Sequence, residues 1–564
     1  MEKRIFAAVL ISFAFLWLWS AVAPKVFPEL AQKPKPAVTS TTSTTAASAP
    51  TPTTATTASP AAPKVAAGKP ATGSPVATPV ATAAPVSATR VIYTDVDTDD
   101  FIARFSNRGA QLISLKLKQH LTHDHDLVDV VKARPADRTD FPFAIETGDA
   151  KLTQRLNTAL YDVRYSKDGS EQTVDFRYVG ADGVSATKSF KFDQHEYLFH
   201  WSAALSPAVQ YRVAIGPGIR TLDKEEKDSQ FNVLGSGVVQ REDSLKVINR
   251  EKSDRVNIFP AVQYVGIEDN YFLSALRPEK SNGAVIRAAE FKDKNVTRRE
   301  LYAAVNAAPD GTVSGTAFFG PKQTQILDRY GFEKTLAFGY FGLIGRFLLT
   351  VLVWINKYTH NYGWAIVVLT IVIKAVLWPL QHKGMTSMKK MQKLQPKVEQ
   401  IKARYKKART DPEQRQKMNT EVMKLYNAEG VNPMGGCLPM LLQLPILWGF
   451  YGLLSRAIEL RGAPWILWIH DLSTKDPYYI TPILMTLTMF VQQMVTPTTA
   501  DPTQRRTFMI MPFIFGFIFK EFPSGLVLYW LVQNILTIVQ QLIMNRYWKE
   551  HPDEVQTTAD LRKA

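Results

Sequence analysis

The chain has 564 residues, room for several domains, and carries a net charge of +16. Its single cysteine, Cys437, excludes an intramolecular disulfide and any cysteine-based metal cluster. Long apolar runs crowd the part beyond residue 340, with one more at the extreme N-terminus, so the average composition conceals a membrane half and a soluble half.

Residues 1–23 begin with Lys3 and Arg4 and continue as an apolar run. Ala21-Val22-Ala23 resembles a signal-peptide cleavage site, but the run is as long as a span and Pro24 would follow the cut. The expectation is an uncleaved anchor. Residues 24–88 are mostly Ala, Thr, Pro, Ser and Val, too poor in large apolar side chains to offset chain entropy, and read as a disordered tether.

From 89 to 337 the pattern becomes short alternating runs, at 101–105, 112–117, 174–179, 189–192, 197–201 and 284–288. Asp168-Gly169, Ala181-Asp182-Gly183 and Asn282-Gly283 fit hairpin turns between them. This predicts a large all-β sandwich. His123-x-His125, flanked by Asp124 and Asp126, reads as a solvated loop rather than a metal site. With no nucleophile motif and no phosphate loop, the domain reads as a binding or spacer module.

The stretch 338–357 is short for a span and carries Arg346, which predicts an amphipathic helix lying on the outer membrane surface. Were it to cross, the basic stretch that follows would share a side with the β domain, against the positive-inside rule. Crossings are expected at 363–381, 437–455, 479–496, 507–520 and 525–544, ahead of a tail at 545–564. Counted from a cytoplasmic N-terminus, the total is six crossings, with the β domain outside and the C-terminus inside.

Between the second and third crossings, residues 382–428 read as a cytoplasmic helical hairpin. Met388, Met391, Leu394, Val398, Ile401 and Tyr405 recur at three- and four-residue steps, and Met418, Val422 and Leu425 answer from the second arm. Asp411 and Pro412 mark the restart. Thirteen lysines and arginines face four acids between 383 and 424, a repulsion that calls for an anionic partner. Lys402, Arg404, Lys406, Lys407 and Arg409 are the expected capture residues, with Met388 and Met391 as an adaptable apolar face.

Within the apolar runs, Lys374 stands out. An intramembrane lysine is expensive unless it faces protein or water, and no Asp or Glu lies in these runs to pair with it. Thr370 shares its helix face at four residues' distance, and Gln443, Tyr529, Gln533 and Asn534 supply further polar groups from other spans. A hydrated polar cavity is the expectation. The absence of a carboxylate relay argues against a proton pump.

Thr386-Ser387-Met388, Leu394-Gln395-Pro396-Lys397, Val431-Asn432-Pro433-Met434-Gly435-Gly436-Cys437-Leu438-Pro439, Leu467-Trp468-Ile469-His470-Asp471-Leu472, Asp476-Pro477-Tyr478-Tyr479 and Phe522-Pro523-Ser524-Gly525-Leu526 resemble, in order, the YidC-type membrane protein insertases (YidC/Oxa/Alb family). The anchor, tether and β domain match the Gram-negative form. The resemblance implies a five-helix core around a hydrophilic groove open to cytoplasm and lipid, and an outer β-supersandwich like those of sugar epimerases without their chemistry. It implies an inner-membrane insertase and chaperone for nascent membrane proteins, acting alone or with the Sec translocon (SecYEG, SecDF), with no enzymatic activity and no cofactor. Ribosomes and anionic lipids are further expected partners, and DNA and small-molecule substrates are not. The groove charge is usually Arg in that family, and Lys374 stands at its position. After Tyr547 the basic residues are matched by acids, which weakens a tail-driven ribosome contact. The rival readings are a small-molecule transporter, which predicts two related halves, and an anchored periplasmic carbohydrate-active or carbohydrate-binding protein, which leaves the polar bundle and basic hairpin without a role.

Overall fold

A computed structural model describes residues 85–552, apart from breaks at 135–137, 224–225, 227–234, 243, 250–255, 294–295, 337, 339–340, 409, 432–437 and 497–501. The expected anchor, nearly all of the tether, Arg409 and the end of the C-terminal tail lie outside the described residues.

The first part of the described chain is antiparallel β structure in sheets of nine, five and four strands. Strand Ser185–Asp193 shows why it forms: Ala186, Lys188, Phe190 and Phe192 point inward while Thr187, Ser189 and Lys191 alternate outward. The inward phenylalanines interlock with neighbouring strands, Phe105 with Phe190 at 4.6 Å and Phe192 with Phe199 at 4.7 Å between ring centroids. Lys188 is the exception on that face. Its ammonium donates to the carbonyls of Gly109 (2.6 Å), Ala110 (3.1 Å) and Phe143 (2.7 Å). All three residues have positive φ, at 70°, 50° and 70°, a backbone conformation uncommon outside glycine that here accompanies carbonyls turned toward the lysine. Burial pushes the Lys188 pKa down to about 7, while the three carbonyls occupy every N–H of the charged form.

Gly169 and Gly183 turn hairpins with positive φ, as their sequence context predicts. Asn282-Gly283 does not. Strand Phe272–Lys280 before it pairs in the nine-stranded sheet, and strand Ala284–Asp293 after it pairs in the five-stranded one. The dipeptide reports a local positive φ, not where the next strand will find its partner. His123 also departs from expectation. It is not a solvated loop residue: two distant segments of the chain fold onto it, and each places a carboxylate at one of the ring nitrogens.

Two short helices belong to the β domain, α1 (Ala150–Thr158), N-capped by Asp149, and α2 (Thr324–Tyr330). Helix α3 (Gly342–Thr359) buries Gly345, Leu348, Leu349, Leu352 and Ile355 against the bundle and exposes Leu343 and Phe347, at 86 % and 66 %, together with Trp354 and Tyr358. An apolar face left outward on an amphipathic helix fits a membrane surface. Its Arg346 pairs with Asp328 of α2 at 3.1 Å.

Helix α4 (Tyr362–Arg404) runs 43 residues without a break, through Pro379 and Pro396, so the apolar segment and the first basic arm are one rod. Helix α5 (Pro412–Ala428) folds back along it, burying Leu394 and Val398 against Tyr426 and Val431. Then come α6 (Leu438–Leu454), α7 (Ile480–Val495), α8 (Pro502–Phe519) and α9 (Ser524–Glu550). Among the described residues, α4 and α9 are long and apolar enough to cross a membrane, and α6, α7 and α8 hold shorter apolar segments. Small residues set the bundle's close approaches. A Cβ added at Gly516 of α8 would collide with the Thr486 hydroxyl of α7, and one at Gly452 of α6 would lie 2.5 Å from the Phe338 carbonyl.

Lys188→Met keeps the volume but leaves three buried carbonyls without a donor. It should lower the stability of the β domain by about 3 kcal/mol, read as a shifted denaturant midpoint of the full chain. An unchanged midpoint would mean that the carbonyls find other donors.

Candidate functional site

Lys374 lies in the apolar half of α4, only 5 % exposed. Its ammonium donates to Thr537 Oγ1 of α9 at 2.9 Å. Among the described residues no carboxylate lies within ion-pair distance of it. One neutral hydroxyl therefore meets a buried cation that has three N–H groups to satisfy.

Thr370 sits one turn before Lys374 and is fully buried, but its hydroxyl donates back to the Ile366 carbonyl at 2.7 Å. It shares the lysine's face without giving it an oxygen, as helical threonines often do. Thr537 takes that place, and the sequence reading passed over it. The available signal was spacing: Gln533, Thr537 and Gln541 recur every four residues along one side of α9. Thr537 in turn donates to the Gln533 carbonyl at 2.7 Å.

The other expected residues fall in two further places. Gln443 of α6 donates to the Tyr529 hydroxyl of α9, whose ring stacks on Phe450 at 4.4 Å. Asn534 turns the other way, its amide 3.4 Å from both the Met485 carbonyl and the Thr488 hydroxyl of α7. It also lines a cavity of about 260 Å³ between α7, α8 and α9, with Met489, Gln492, Gln493, Phe515 and Trp530. Lys374 does not line that cavity. Tyr529, Asn534 and Thr537 nevertheless lie within nine residues of α9, so one helix carries the polar partners of three others.

Toward the far end of α9, Gln540 and Gln541 are fully buried, and Gln381 of α4 nearly so. Several of their amide atoms, with Gln533 Oε1, have no protein partner among the described residues. Among the described residues of these spans, polar capacity thus exceeds what the protein itself uses, and these unpartnered atoms belong to amides.

On the hairpin, Lys402, Arg404, Lys406 and Lys407 are exposed. Arg404 reaches Glu421 of α5 at 2.6 Å. Met388 and Met391 are partly buried, and Met391 packs against the hairpin's own Leu394–Tyr426 cluster.

Two family models match the chain: one described as the YidC periplasmic domain over residues 94–354, and one as the 60Kd inner membrane protein over 354–551. A Geotalea daltonii protein named membrane protein insertase YidC is 37% identical, over 80% of this chain and 86% of its own length. One of the same name from Geobacter metallireducens is 32% identical over 97% of this chain and 98% of its own. The solved structure titled "Active YidC insertase crystal structure with the first transmembrane domain resolved" is 19% identical, with a TM-score of 0.37, and covers 81% of this chain and 95% of its own.

Proposed function

The chain belongs to the YidC family of membrane protein insertases, and from that membership we propose that it inserts nascent membrane proteins into the inner membrane through the polar interior around Lys374. The observation that carries the reading is the buried lysine met, among the described residues, by one neutral hydroxyl and no acid. A cation at mid-membrane costs about 2.5–3.5 kcal/mol on insertion scales, so a chain that keeps one without an acid has a use for the charge. The excess of buried, neutral polar atoms beside it supports a hydrated groove, which spares a substrate's polar segment part of its desolvation. The role is that of a chaperone for crossing, not a bond-making one.

In this reading six spans cross the membrane, the β domain lies outside, and the hairpin and both termini lie inside. The groove opens to cytoplasm and lipid. Thr370, Gln443, Tyr529, Gln533 and Asn534 line or brace it, and α3 rests on the outer surface. The hairpin captures the emerging chain, or the anionic surface that delivers it, with Lys402, Arg404, Lys406, Lys407 and Arg409. Delivery occurs alone or beside the Sec translocon.

Complementation of a depleted strain tests the groove charge. Lys374→Arg should retain insertion, Lys374→Ala should impair it, and Lys374→Glu should abolish it. Full complementation by Lys374→Glu would remove the charge from the mechanism.

Capture should be ionic. Co-sedimentation of the solubilised protein with ribosomes or anionic vesicles should weaken as salt rises, because the screening length shrinks from about 10 Å at 0.1 M to about 3 Å at 1 M. Replacing Lys402, Arg404, Lys406 and Lys407 together with Gln should lower binding and leave the bundle folded. Binding that is indifferent to both changes would place the docking surface elsewhere.

A further inference from the structure

The β domain meets the bundle through a buried polar seam, and at its centre stands His123. Nδ1 of the ring lies 2.7 Å from Asp223 Oδ2, within the β domain. Nε2 lies 3.0 Å from Asp471 Oδ2, on the loop between α6 and α7. Beside it Arg461 of the same loop donates to Glu226 at 2.9 Å and to the Leu121 carbonyl at 2.8 Å, over the rings of Tyr271 and Phe272. Glu226 also takes both ends of the Arg220 guanidinium, which reaches Asp269 at 2.6 Å.

The loop transmits this contact to the bundle. Asp471 Oδ1 accepts from the backbone and hydroxyl of Ser473, both at 2.7 Å, which leaves Oδ2 for the histidine. The Asp471 carbonyl accepts from the Ser524 hydroxyl at 2.9 Å, Thr474 accepts from the Ser524 amide at 2.7 Å, and Leu472 from the Gly525 amide at 3.0 Å. Ser524 and Gly525 open α9, the helix that carries Tyr529, Asn534 and Thr537.

We propose that His123, as an imidazolium shared by Asp223 and Asp471, is a proton-dependent latch that fixes the β domain on the α6–α7 loop and, through that loop, on the outer end of α9. Carboxylates only accept hydrogen bonds, so a neutral ring, with one N–H, would set a lone pair against one of the two. The doubly protonated ring satisfies both. Charge leads to the same state. Among the described residues, the four carboxylates Asp223, Glu226, Asp269 and Asp471 gather around two guanidiniums, Arg220 and Arg461, while Lys322 beside Asp269 is matched by Glu268, so a neutral His123 leaves two negative charges in excess there. His120, on the same strand side, adds no positive charge, since burial and then Arg461 push it down to about 4.

The hydrogen bonds to Asp223 and Asp471 push His123 up to about 10. Its ordinary value is about 6.5, so the latch contributes fully below that pH, persists at neutrality, and is lost as pH rises through about 10. The proposal concerns position alone and does not depend on what the groove carries.

Double electron–electron resonance on the full chain tests it, with Cys437→Ser and spin labels at the exposed positions Tyr93→Cys and Tyr478→Cys. At pH 7 the distance distribution should be narrow, and at pH 10.5 broadened, reversibly on return to pH 7. His123→Phe should be broad at both values. His123→Arg should be narrow at both, because a guanidinium offers donors on two edges and stays charged at pH 10.5. Circular dichroism of each variant reports whether it is folded. Distributions that stay narrow in the unmodified chain at pH 10.5 and in folded His123→Phe would overturn the latch, as would a pH response that survives in His123→Arg.

Discussion

A cation taken out of water has to be met by oxygen, and this chain does so in three ways that separate its parts. In the β domain three backbone carbonyls surround Lys188. At the seam carboxylates enclose Arg220 and Arg461. In the bundle a hydroxyl, alone among the described residues, meets Lys374. Lys188 and Arg220 have an oxygen for every nitrogen donor they bury, Arg461 has oxygens on two of its three nitrogens, and removing one partner from such a cluster is strongly destabilising. They fix structure. The third leaves donors free in a region of low dielectric, where an incoming anionic or carbonyl oxygen gains most from them. The degree of coordination, more than burial itself, distinguishes the charge that holds the fold from the charge that can act.

The unbroken course of α4 then sets distances. Lys374 and Lys402 lie 28 residues apart on one helix, roughly 42 Å at 1.5 Å per residue. Whatever the basic arm holds is therefore too far away to touch the buried lysine at the same point. In the reading proposed above, capture and entry would then be successive events on one rod, and α5 doubles back to stiffen its C-terminal half through Leu394, Val398 and Tyr426.

What was legible in the sequence was periodic. The alternating runs at 101–105, 112–117, 174–179 and 189–192 all fall within strands, and the three- and four-residue steps of Met391, Leu394 and Val398 face Val422 and Leu425 of α5. Pairing at long range was not legible. Gly283 has turn chemistry, yet its flanking strands belong to different sheets. His123 meets Asp471 across 348 positions, a separation that no local pattern encodes, so its acidic neighbours Asp124 and Asp126 suggested solvent instead. Within the site, Lys374 was conspicuous as a charge deep inside an expected crossing. Its oxygen was not, because Thr370 and Thr537 are equivalent candidates until the helices are packed, and Thr370 spends its hydroxyl on its own backbone.

The neutrality of that partner matters more than its identity. An acid beside Lys374 would form a close ion pair, neutralise its field and hold its donors, as Glu268 does for Lys322 in the β domain. A hydroxyl orients the ammonium without cancelling it. The rest of the bundle follows the same rule: Gln443, Gln492, Gln493, Asn534, Gln540 and Gln541 are amides, able to donate and accept with no charge of their own. Such amides can exchange hydrogen bonds with water or with a backbone at little cost for either, while one uncancelled positive charge attracts acidic groups without fixing them. If segments pass through this bundle as proposed, such weak, interchangeable contacts would let them go, where carboxylates would have held them.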